Sequence, residues 1–301
     1  MTIKVLLTGA AGQLGQALQA SCPSSVELVS TSRMGDGLLQ PLDLADAQAC
    51  RAAVFQHRPD WVLNAGAYTA VDHAEQEPDL ALAVNASAPR ALAEGLLETG
   101  GRMLQVSTDF VFNGAQGHPY RPNQPRDPLG VYGATKAAGE EAVEQILGAQ
   151  GRAVTLRTSW VYGPVGRNFL LTMLRLHRER EQLNVVVDQV GCPTSTITLA
   201  TACWALMEER QKPYLPPVFH WCDAGAASWY DFAVAIGELG VAKGLLQRAA
   251  VVHPIITAEY PTLAQRPSYS LLDCSETRQL LGLHACHWRV ALEQVIADVE
   301  S

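Results

Sequence analysis

The stretch KVLLTGAAGQLGQAL (residues 4–18) decides the fold, because it joins an apolar run, a glycine-rich turn and the start of a helical pattern. Its three glycines have the spacing G-x-x-G-x-x-G and lie directly between a predicted strand and a predicted helix. Such a turn lets a pyrophosphate approach the backbone at the positive N-terminus of the helix, although tight packing is the alternative. The residues expected to contact a dinucleotide here are Gly9, Gly12, Gln13, Leu14 and Gly15.

Apolar runs and helical patterns alternate through the first half of the chain. The predicted strands span residues 4–9, 26–31, 60–66, 102–108 and 153–163. The predicted helices between them span residues 13–22, 45–57, 78–98 and 132–150. The strands are continuous and rich in β-branched residues, as expected for strands that are buried on both faces. The alternation predicts an α/β fold with a doubly wound, Rossmann-like parallel sheet that binds ligands at its carboxyl edge.

The pattern is less regular after about residue 165. Helical runs and short strands are mixed there, with helices predicted near 168–181, 196–210, 229–239 and 275–281 and strands over 184–189 and 217–222. We therefore expect a dinucleotide-binding domain over residues 1–165, to which the chain can return later. A smaller, less regular substrate domain is expected mainly over residues 166–301.

Composition excludes several classes of protein. The 301 residues are 48% hydrophobic and 17% charged with a net charge of −8, and no basic cluster points to nucleic acid. No apolar run approaches the ~20 residues of a membrane span. Seven scattered cysteines without a C-x-x-C pair predict reduced thiols in a cytoplasmic protein. The cluster HACH (284–287) lacks partners at a recognised zinc spacing, so no metal is expected.

The end of the second predicted strand bears on cofactor choice. Ser32 and Arg33 follow VELVST (26–31), and no acid stands there to accept from a ribose 2′-hydroxyl. An arginine suits a 2′-phosphate, so NADPH is expected, with NADH as the alternative. Asp43 can accept from the adenine amino group with Leu44 packed on the ring, or it can cap the following helix.

Tyr132 and Lys136 open an Ala-rich helical run, VYGATKAAGEEA (131–142). Positions i and i+4 share one helix face, so an ammonium beside the phenol is expected to lower the pKa of Tyr132. An amphipathic surface pair is the alternative. Thr108 ends a buried strand, where its hydroxyl can polarise a carbonyl or only cap a turn. With a hydride donor upstream, this set predicts a carbonyl reductase.

Seven motifs occur in order over nearly the whole chain: TGxxGQLG, LNAGAYTAVDxAE, STDFVF, YGxTKxxGE, LRTSWVYGP, NF…ML and DQxGxPT. Together with Arg266-Pro267 they resemble the extended short-chain dehydrogenase/reductase family, and within it the reductases of dTDP-linked 4-keto sugars. The resemblance implies NAD(P)H-dependent reduction at C4 of dTDP-6-deoxy-L-lyxo-4-hexulose. The product, dTDP-L-rhamnose, would serve cell-surface polysaccharides such as the lipopolysaccharide O-antigen.

The resemblance also implies roles for individual residues. Tyr132 would protonate the 4-oxygen, Lys136 would bind the nicotinamide ribose, and Thr108 would stabilise the developing alkoxide. Asn85 would hold a proton-relay water or mark a helix kink. The implied substrate contacts are Thr108, Asp109, Trp160, Asn168, Phe169 and Arg266, the last either on a pyrophosphate oxygen or capping a helix end. The further residues expected to border the cofactor are Ala65, Gly66, Ala67, Tyr68, Thr69 and Val106.

One departure from the resembled family concerns oligomerisation. Some members dimerise around Mg²⁺ held by a glutamate just after the last glycine of the nucleotide motif. This chain has Gln16-Ala17-Leu18 there, so a metal-linked dimer is not expected, and a homodimer of another kind is left open.

Two other functions fit parts of the pattern. A nucleotide-sugar epimerase or dehydratase would use the same scaffold, and Asp109 beside Thr108 is the feature that allows it. A non-catalytic subunit resembling the regulatory subunit of methionine adenosyltransferase is the second, although Tyr132, Lys136 and Thr108 are all present.

Overall fold

The computed structural model describes residues 2–209 and 216–299. Residue 210, the predicted last residue of a helix, lies outside them. The strands are β1 (Ile3–Thr8), β2 (Val26–Ser32), β3 (Gln40–Pro41), β4 (Trp61–Asn64), β5 (Arg102–Thr108), β6 (Ala153–Thr158), β7 (Val161–Tyr162), β8 (Gln182–Val186), β9 (Val190–Gly191), β10 (Thr194–Ser195), β11 (Val218–His220), β12 (Ala227–Ser228) and β13 (Val251–Ile255).

The helices alternate with the strands of the first half and dominate the second half. They are α1 (Gln13–Ala20), α2 (Ala47–His57), α3 (Val71–Ala74), α4 (Pro78–Leu82), α5 (Ala88–Thr99), α6 (Val131–Leu147), α7 (Phe169–Glu179), α8 (Thr196–Glu209), α9 (Trp229–Ala242), α10 (Ser275–Leu281) and α11 (Trp288–Ala297). One π-helical turn, Ala83–Ser87, joins α4 to α5.

A parallel sheet organises the described part of the chain. Its strand order is β11-β6-β5-β4-β1-β2-β3, and each of its strand pairs is parallel. The order reverses direction at β1, as in a doubly wound fold, and the predicted fold class is confirmed. Strand β11 comes from the second half of the chain and pairs with β6, so the sheet draws on residues beyond 165.

Both faces of the sheet are covered. Leu7 packs into a buried cluster with residues of α1 and α8, whereas its neighbour Leu6 packs on the other face with residues of α2, α5 and α6. This two-sided burial explains why the strands read as continuous apolar runs. A third cluster joins α7, α9 and α11 in the second half, with Phe232 and Leu292 fully buried in it.

Two predicted elements are interrupted. The strand predicted over 153–163 ends at Thr158 and resumes as β7, because Trp160 adopts a left-handed backbone conformation with φ 47°. The helix predicted over 78–98 widens into the π-helical turn around Asn85. The α2 helix begins after Asp46, whose side chain caps it, so the alternative that Asp43 is the cap is wrong.

The glycine turn after β1 depends on close backbone packing. Gly9 has φ 67°, and a Cβ on it would lie 2.5 Å from Cα of Gly66. A Cβ on Gly15 would lie 2.3 Å from the carbonyl oxygen of Gly9 and 2.6 Å from Cα of Ala10. Helix α1 can therefore start directly under the strand only because both positions lack a side chain.

Gly15→Ala should destabilise the protein by about 1–3 kcal/mol, because the added methyl group meets backbone atoms that cannot move aside. Thermal unfolding measures the loss. Gly117→Ala is the matched control, since a Cβ at Gly117 meets nothing within 4 Å. Equal melting temperatures for the two variants would contradict the packing described for the turn.

Candidate active site

A row of buried polar side chains crosses the carboxyl edge of the sheet. Thr8, Asn64 and Gln105 are register neighbours on β1, β4 and β5. The Thr8 hydroxyl donates to Oδ1 of Asn64, and Nδ2 of Asn64 donates to Oε1 of Gln105 at 2.7 Å. Nε2 of Gln105 donates to the Val106 carbonyl oxygen at 3.0 Å. The row therefore links the strand before the glycine turn to the strand that carries Thr108.

The glycine turn fits a dinucleotide. Gly12 is the N-cap of α1 and gives the helix no side-chain cap, so the N-terminus is left for an anion. Leu44 packs against Gly66, its Cδ1 2.5 Å from where a Cβ on that glycine would lie. The backbone N–H of Gly66 donates to the Thr8 hydroxyl at 3.2 Å. Gly66 and Leu44 thus lie beside the turn, as expected of residues that border one cofactor.

The residues expected to bind a 2′-phosphate already contact other residues of the chain. Ser32 is buried, and its hydroxyl accepts from the Gly35 N–H. Arg33 is exposed, with Nε 3.5 Å from Oδ2 of Asp43. Such an exposed ion pair is weak, so the Arg33 guanidinium can turn to a 2′-phosphate at little cost.

The loop after β4 is clamped by Asn85. The Tyr68 N–H donates to Oδ1 of Asn85 at 2.9 Å, and Nδ2 of Asn85 donates to the Tyr68 carbonyl oxygen and to the Thr135 hydroxyl, both at 3.1 Å. The π-helical turn aims this amide between the loop and α6. Asn85 thus holds the loop Ala65–Thr69 against the helix of Tyr132, and a relay water at Asn85 stays a prediction.

Tyr132 and Thr108 meet at the same edge. The Thr108 hydroxyl lies close enough to the Tyr132 side chain to act on its pKa. It also donates to Oδ1 of Asp109 at 3.0 Å and accepts from the Phe110 N–H. The ring of Phe110 meets Tyr132 edge-on, with centroids 5.4 Å apart. A phenol and a hydroxyl therefore lie close together at the sheet edge, and carbonyl reduction requires a proton donor and a group that stabilises the developing oxyanion.

The expected lowering of the tyrosine pKa is wrong for this arrangement. Burial raises the pKa of Tyr132 to about 12, a hydrogen bond to Thr108 opposes this only in part, and the negative charge of Asp109 adds to the rise. Lys136 does not offset the burial. A pKa above neutral keeps Tyr132 protonated, which is the form that donates a proton during reduction.

Lys136 lies buried at the sheet edge. Its ammonium donates to the Val106 carbonyl oxygen at 2.7 Å. Burial lowers the pKa of Lys136 to about 8, with the carboxylate of Glu140 acting in the opposite direction. Val106 was expected to border the cofactor, and it supplies the carbonyl that fixes this lysine.

Asp109 is a buried carboxyl group close to Tyr132. Burial raises its pKa to about 6, while the nearby hydroxyls of Ser270 and Thr108 act against the rise. Its Oδ2 has no hydrogen-bond partner within the described residues. An unpaired buried acceptor is costly and marks the position as a candidate for ligand contact.

Three further expected substrate residues have structural partners. Trp160 stacks on Trp229 with ring centroids 3.6 Å apart, and Phe169 packs on the same indole. Asn168 caps α7 and donates to Oε1 of Gln13 at 3.1 Å, which ties the glycine turn to the second half of the chain. Trp160 is half-buried, so part of this residue stays exposed beside the stacked indole. The substrate contacts of all three stay predictions.

Arg266 forms a bidentate ion pair with Asp72. Its guanidinium donates to both carboxylate oxygens of Asp72, at 3.2 and 2.6 Å, and to the Ala264 carbonyl oxygen. The hydrogen bond from Arg266 lowers the pKa of Asp72 below its usual range. A pyrophosphate at Arg266 would have to compete with this bidentate pair.

Two acids with clear roles were missed by the sequence reasoning. Oε1 of Glu75 accepts from the Val131 N–H at 2.8 Å and so caps the helix that carries Tyr132. Glu140 is fully buried four residues after Lys136. A signal for Glu140 was present, because an acid at i+8 shares the helix face of Tyr132 and Lys136. No sequence signal pointed to Glu75, because the helix that it caps begins 56 residues later in the chain.

These features define the class of protein: a Rossmann-like fold of the short-chain dehydrogenase/reductase type, with a tyrosine, a lysine and a threonine hydroxyl at the carboxyl edge of the sheet. The chain belongs to the family described as RmlD substrate binding domain, which it matches over residues 3–301. In the described residues no helix is long and apolar enough to cross a membrane.

Relatives match the chain over nearly its full length. It is 36% identical to the dTDP-4-dehydrorhamnose reductase of Aggregatibacter actinomycetemcomitans, over 99% of both chains. It is 40% identical to that of Streptomyces griseus, over 96% of this chain and 91% of the relative. The crystal structure of the Bacillus anthracis dTDP-4-dehydrorhamnose reductase in complex with NADP superposes with a TM-score of 0.89 at 32% identity, covering 99% of this chain and 100% of that one.

Arg33→Ala should lower the preference for NADPH over NADH by roughly 10- to 150-fold, because a charge-assisted hydrogen bond to phosphate contributes about 1.5–3 kcal/mol. The ratio of kcat/KM for the two cofactors measures it. Arg175→Ala, which removes an exposed arginine paired only along α7, is the control. An unchanged ratio in the Arg33 variant would shift the role to Ser32.

Proposed function

We propose that this chain uses NADPH to reduce the 4-keto group of dTDP-4-dehydrorhamnose, that is dTDP-6-deoxy-L-lyxo-4-hexulose, and releases dTDP-L-rhamnose. Full-length relatives named for this activity support the proposal, as does the NADP complex of the Bacillus anthracis protein. The observation that carries it is the hydroxyl pair of Tyr132 and Thr108 beside the buried ammonium of Lys136.

The residues of the site divide the work of the reduction. Bound NADPH supplies the hydride. Tyr132 gives its hydroxyl proton to the 4-oxygen, and the Thr108 hydroxyl turns from Asp109 to the same oxygen and stabilises its developing charge. Lys136, whose ammonium is held by the Val106 carbonyl oxygen, binds the nicotinamide ribose. Asn85 and Glu75 hold the loop and the helix that frame these groups.

The pH dependence follows from the two buried groups. Tyr132 stays protonated up to about pH 12, so its ionisation does not limit reduction near neutral pH. The ammonium of Lys136 is lost as the pH rises through about 8. Reductive activity should therefore fall on the alkaline side of pH 8 through Lys136.

We further propose that the product donates rhamnose to a cell-surface polysaccharide and that the enzyme works in the cytoplasm. All seven cysteines are free, as suits a reducing compartment. Its partner is a nucleotide sugar. Homodimer formation, the division at residue 165 and the absence of a bound metal remain predictions.

The direct assay follows NADPH oxidation with a panel of dTDP-4-keto sugars. Stoichiometric NADPH consumption with dTDP-6-deoxy-L-lyxo-4-hexulose is expected, and the purified protein should be largely free of cofactor. Tightly held NAD with interconversion of sugar epimers would instead identify an epimerase. Cofactor binding without turnover on any sugar would point to a non-catalytic subunit.

Tyr132→Phe should retain cofactor binding and the melting temperature but lose turnover about 10²–10⁴-fold, the usual contribution of one positioned acid. Steady-state kinetics, NADPH titration and thermal unfolding measure the three properties. Tyr230→Phe, on α9, is the control for loss of a phenol elsewhere. Near-normal turnover in the Tyr132 variant would remove this residue from the mechanism.

A further inference from the structure

A third residue, the acid Glu140, continues the face of α6 that carries Tyr132 and Lys136. Tyr132, Lys136 and Glu140 stand at i, i+4 and i+8, so their side chains follow one another along two turns of the helix. Glu140 is fully buried, and Lys136 is only 4% exposed. Glu140 therefore stands one helical turn beyond Lys136 on the buried face of α6, on the side away from Tyr132.

Glu140 is fixed by two arginines. Nε and Nη2 of Arg157 donate to Oε1 and Oε2 of Glu140 at 2.9 and 2.7 Å, and Nε of Arg126 donates to Oε2 at 2.7 Å. Arg157 is held in turn by the Pro122 carbonyl oxygen and lies over the ring of Phe112. The carboxylate cannot swing away from this position, so its charge acts on Lys136 from a constant place.

The hydrogen-bond partner of Lys136 in the described structure, the Val106 carbonyl, is neutral. The charged and titratable groups joined to this face of α6 are Tyr132, Glu140, Glu141 and Glu144 on α6, Asp109 after β5, Arg157 on β6, Arg126 in the loop before α6, and Glu75 after α3. The other elements packed on α6 add Asp72 and His73 on α3, Asp79 on α4, Arg90, Glu94 and Glu98 on α5, and Arg102 on β5. The cluster of Glu140, Glu141, Glu144, Arg126 and Arg157 carries one net negative charge.

We propose that Glu140 is a positioning residue for the reduction: from one helical turn beyond Lys136, its anchored carboxylate keeps the buried lysine charged at the pH at which the enzyme works. This inference rests on the proposed function and adds to it a residue that does not touch substrate or cofactor. Arg157 and Arg126 serve to hold that carboxylate ionised and in place.

The electrostatics of the pair agree with the geometry. Burial lowers the pKa of Lys136 to about 8, and Glu140 is the charge that opposes the fall. Burial alone would raise the pKa of Glu140, but Arg157 and Arg126 bring it below its usual range. Glu140 is thus ionised wherever Lys136 titrates.

The first test reads the lysine without any turnover. The chain has four lysines, Lys4, Lys136, Lys212 and Lys243, so ¹³Cε-lysine NMR gives four signals and Lys136→Met assigns the one of interest. Glu140→Gln should lower the titration midpoint of Lys136 by about one pH unit. The matched control is Glu144→Gln, one turn further on the same helix, exposed and bonded to Arg126. Equal shifts in both variants, or none in the first, would overturn the proposal.

The second test uses activity. The alkaline limb of kcat/KM for NADPH should move about one unit lower in Glu140→Gln and stay in place in Glu144→Gln. If the NMR midpoint moves but neither variant nor the parent protein reduces dTDP-4-keto sugars, the proposed function fails while the role of Glu140 stands. If activity is present and neither readout moves, the role of Glu140 is refuted.

The single variant leaves Arg157 buried without its carboxylate, which can prevent folding. Glu140→Gln combined with Arg157→Met removes both buried charges and keeps the experiment possible. In that variant the Lys136 midpoint should still lie below that of the parent protein. A midpoint at or above the parent value would refute a charge effect of Glu140.

Discussion

The rest of the site depends on two hydrogen bonds that the carbonyl oxygen of Val106 accepts. This oxygen accepts from the ammonium of Lys136 at 2.7 Å and from the amide of Gln105 at 3.0 Å. Through Gln105 it closes the row of buried polar side chains that runs by Asn64 to Thr8. Because Thr8 also accepts from the Gly66 N–H, the loop beside the glycine turn and the buried Lys136 are fixed to one hydrogen-bonded line.

Burial gives this line both its rigidity and its chemistry. Each amide in the row has its partners, as buried polar groups require, so the strand ends have one preferred alignment. The same burial acts in opposite directions on the two titrating groups. It raises the pKa of Tyr132, which keeps the acid protonated, and lowers that of Lys136, which makes its charge dependent on the surroundings. The charge of Glu140 on α6 therefore interacts more strongly with Lys136 than it would at the protein surface.

Local patterns predicted the sheet, the glycine turn and the grouping of Tyr132 with Thr108, because carboxyl ends of parallel strands meet at one edge. Features fixed by distant pairs could not be predicted. Arg266 pairs with Asp72 across 194 residues, and the left-handed Trp160 is stacked on Trp229. The helical period indicates that Glu140 shares a face with Lys136. Its role depends on the ion pair with Arg157, which lies on β6 and could not be predicted from the helix alone.

The central claim is a net transfer of hydride from NADPH to a sugar carbon, and isotope transfer tests it most directly. The protein is incubated with dTDP-6-deoxy-L-lyxo-4-hexulose and NADPH deuterated at both C4 positions, and the product is analysed by mass spectrometry and NMR. The account predicts dTDP-L-rhamnose with one deuterium at C4 of the sugar and one NADP⁺ formed for each product. An unlabelled product, or sugar isomers formed without NADP⁺, would contradict it.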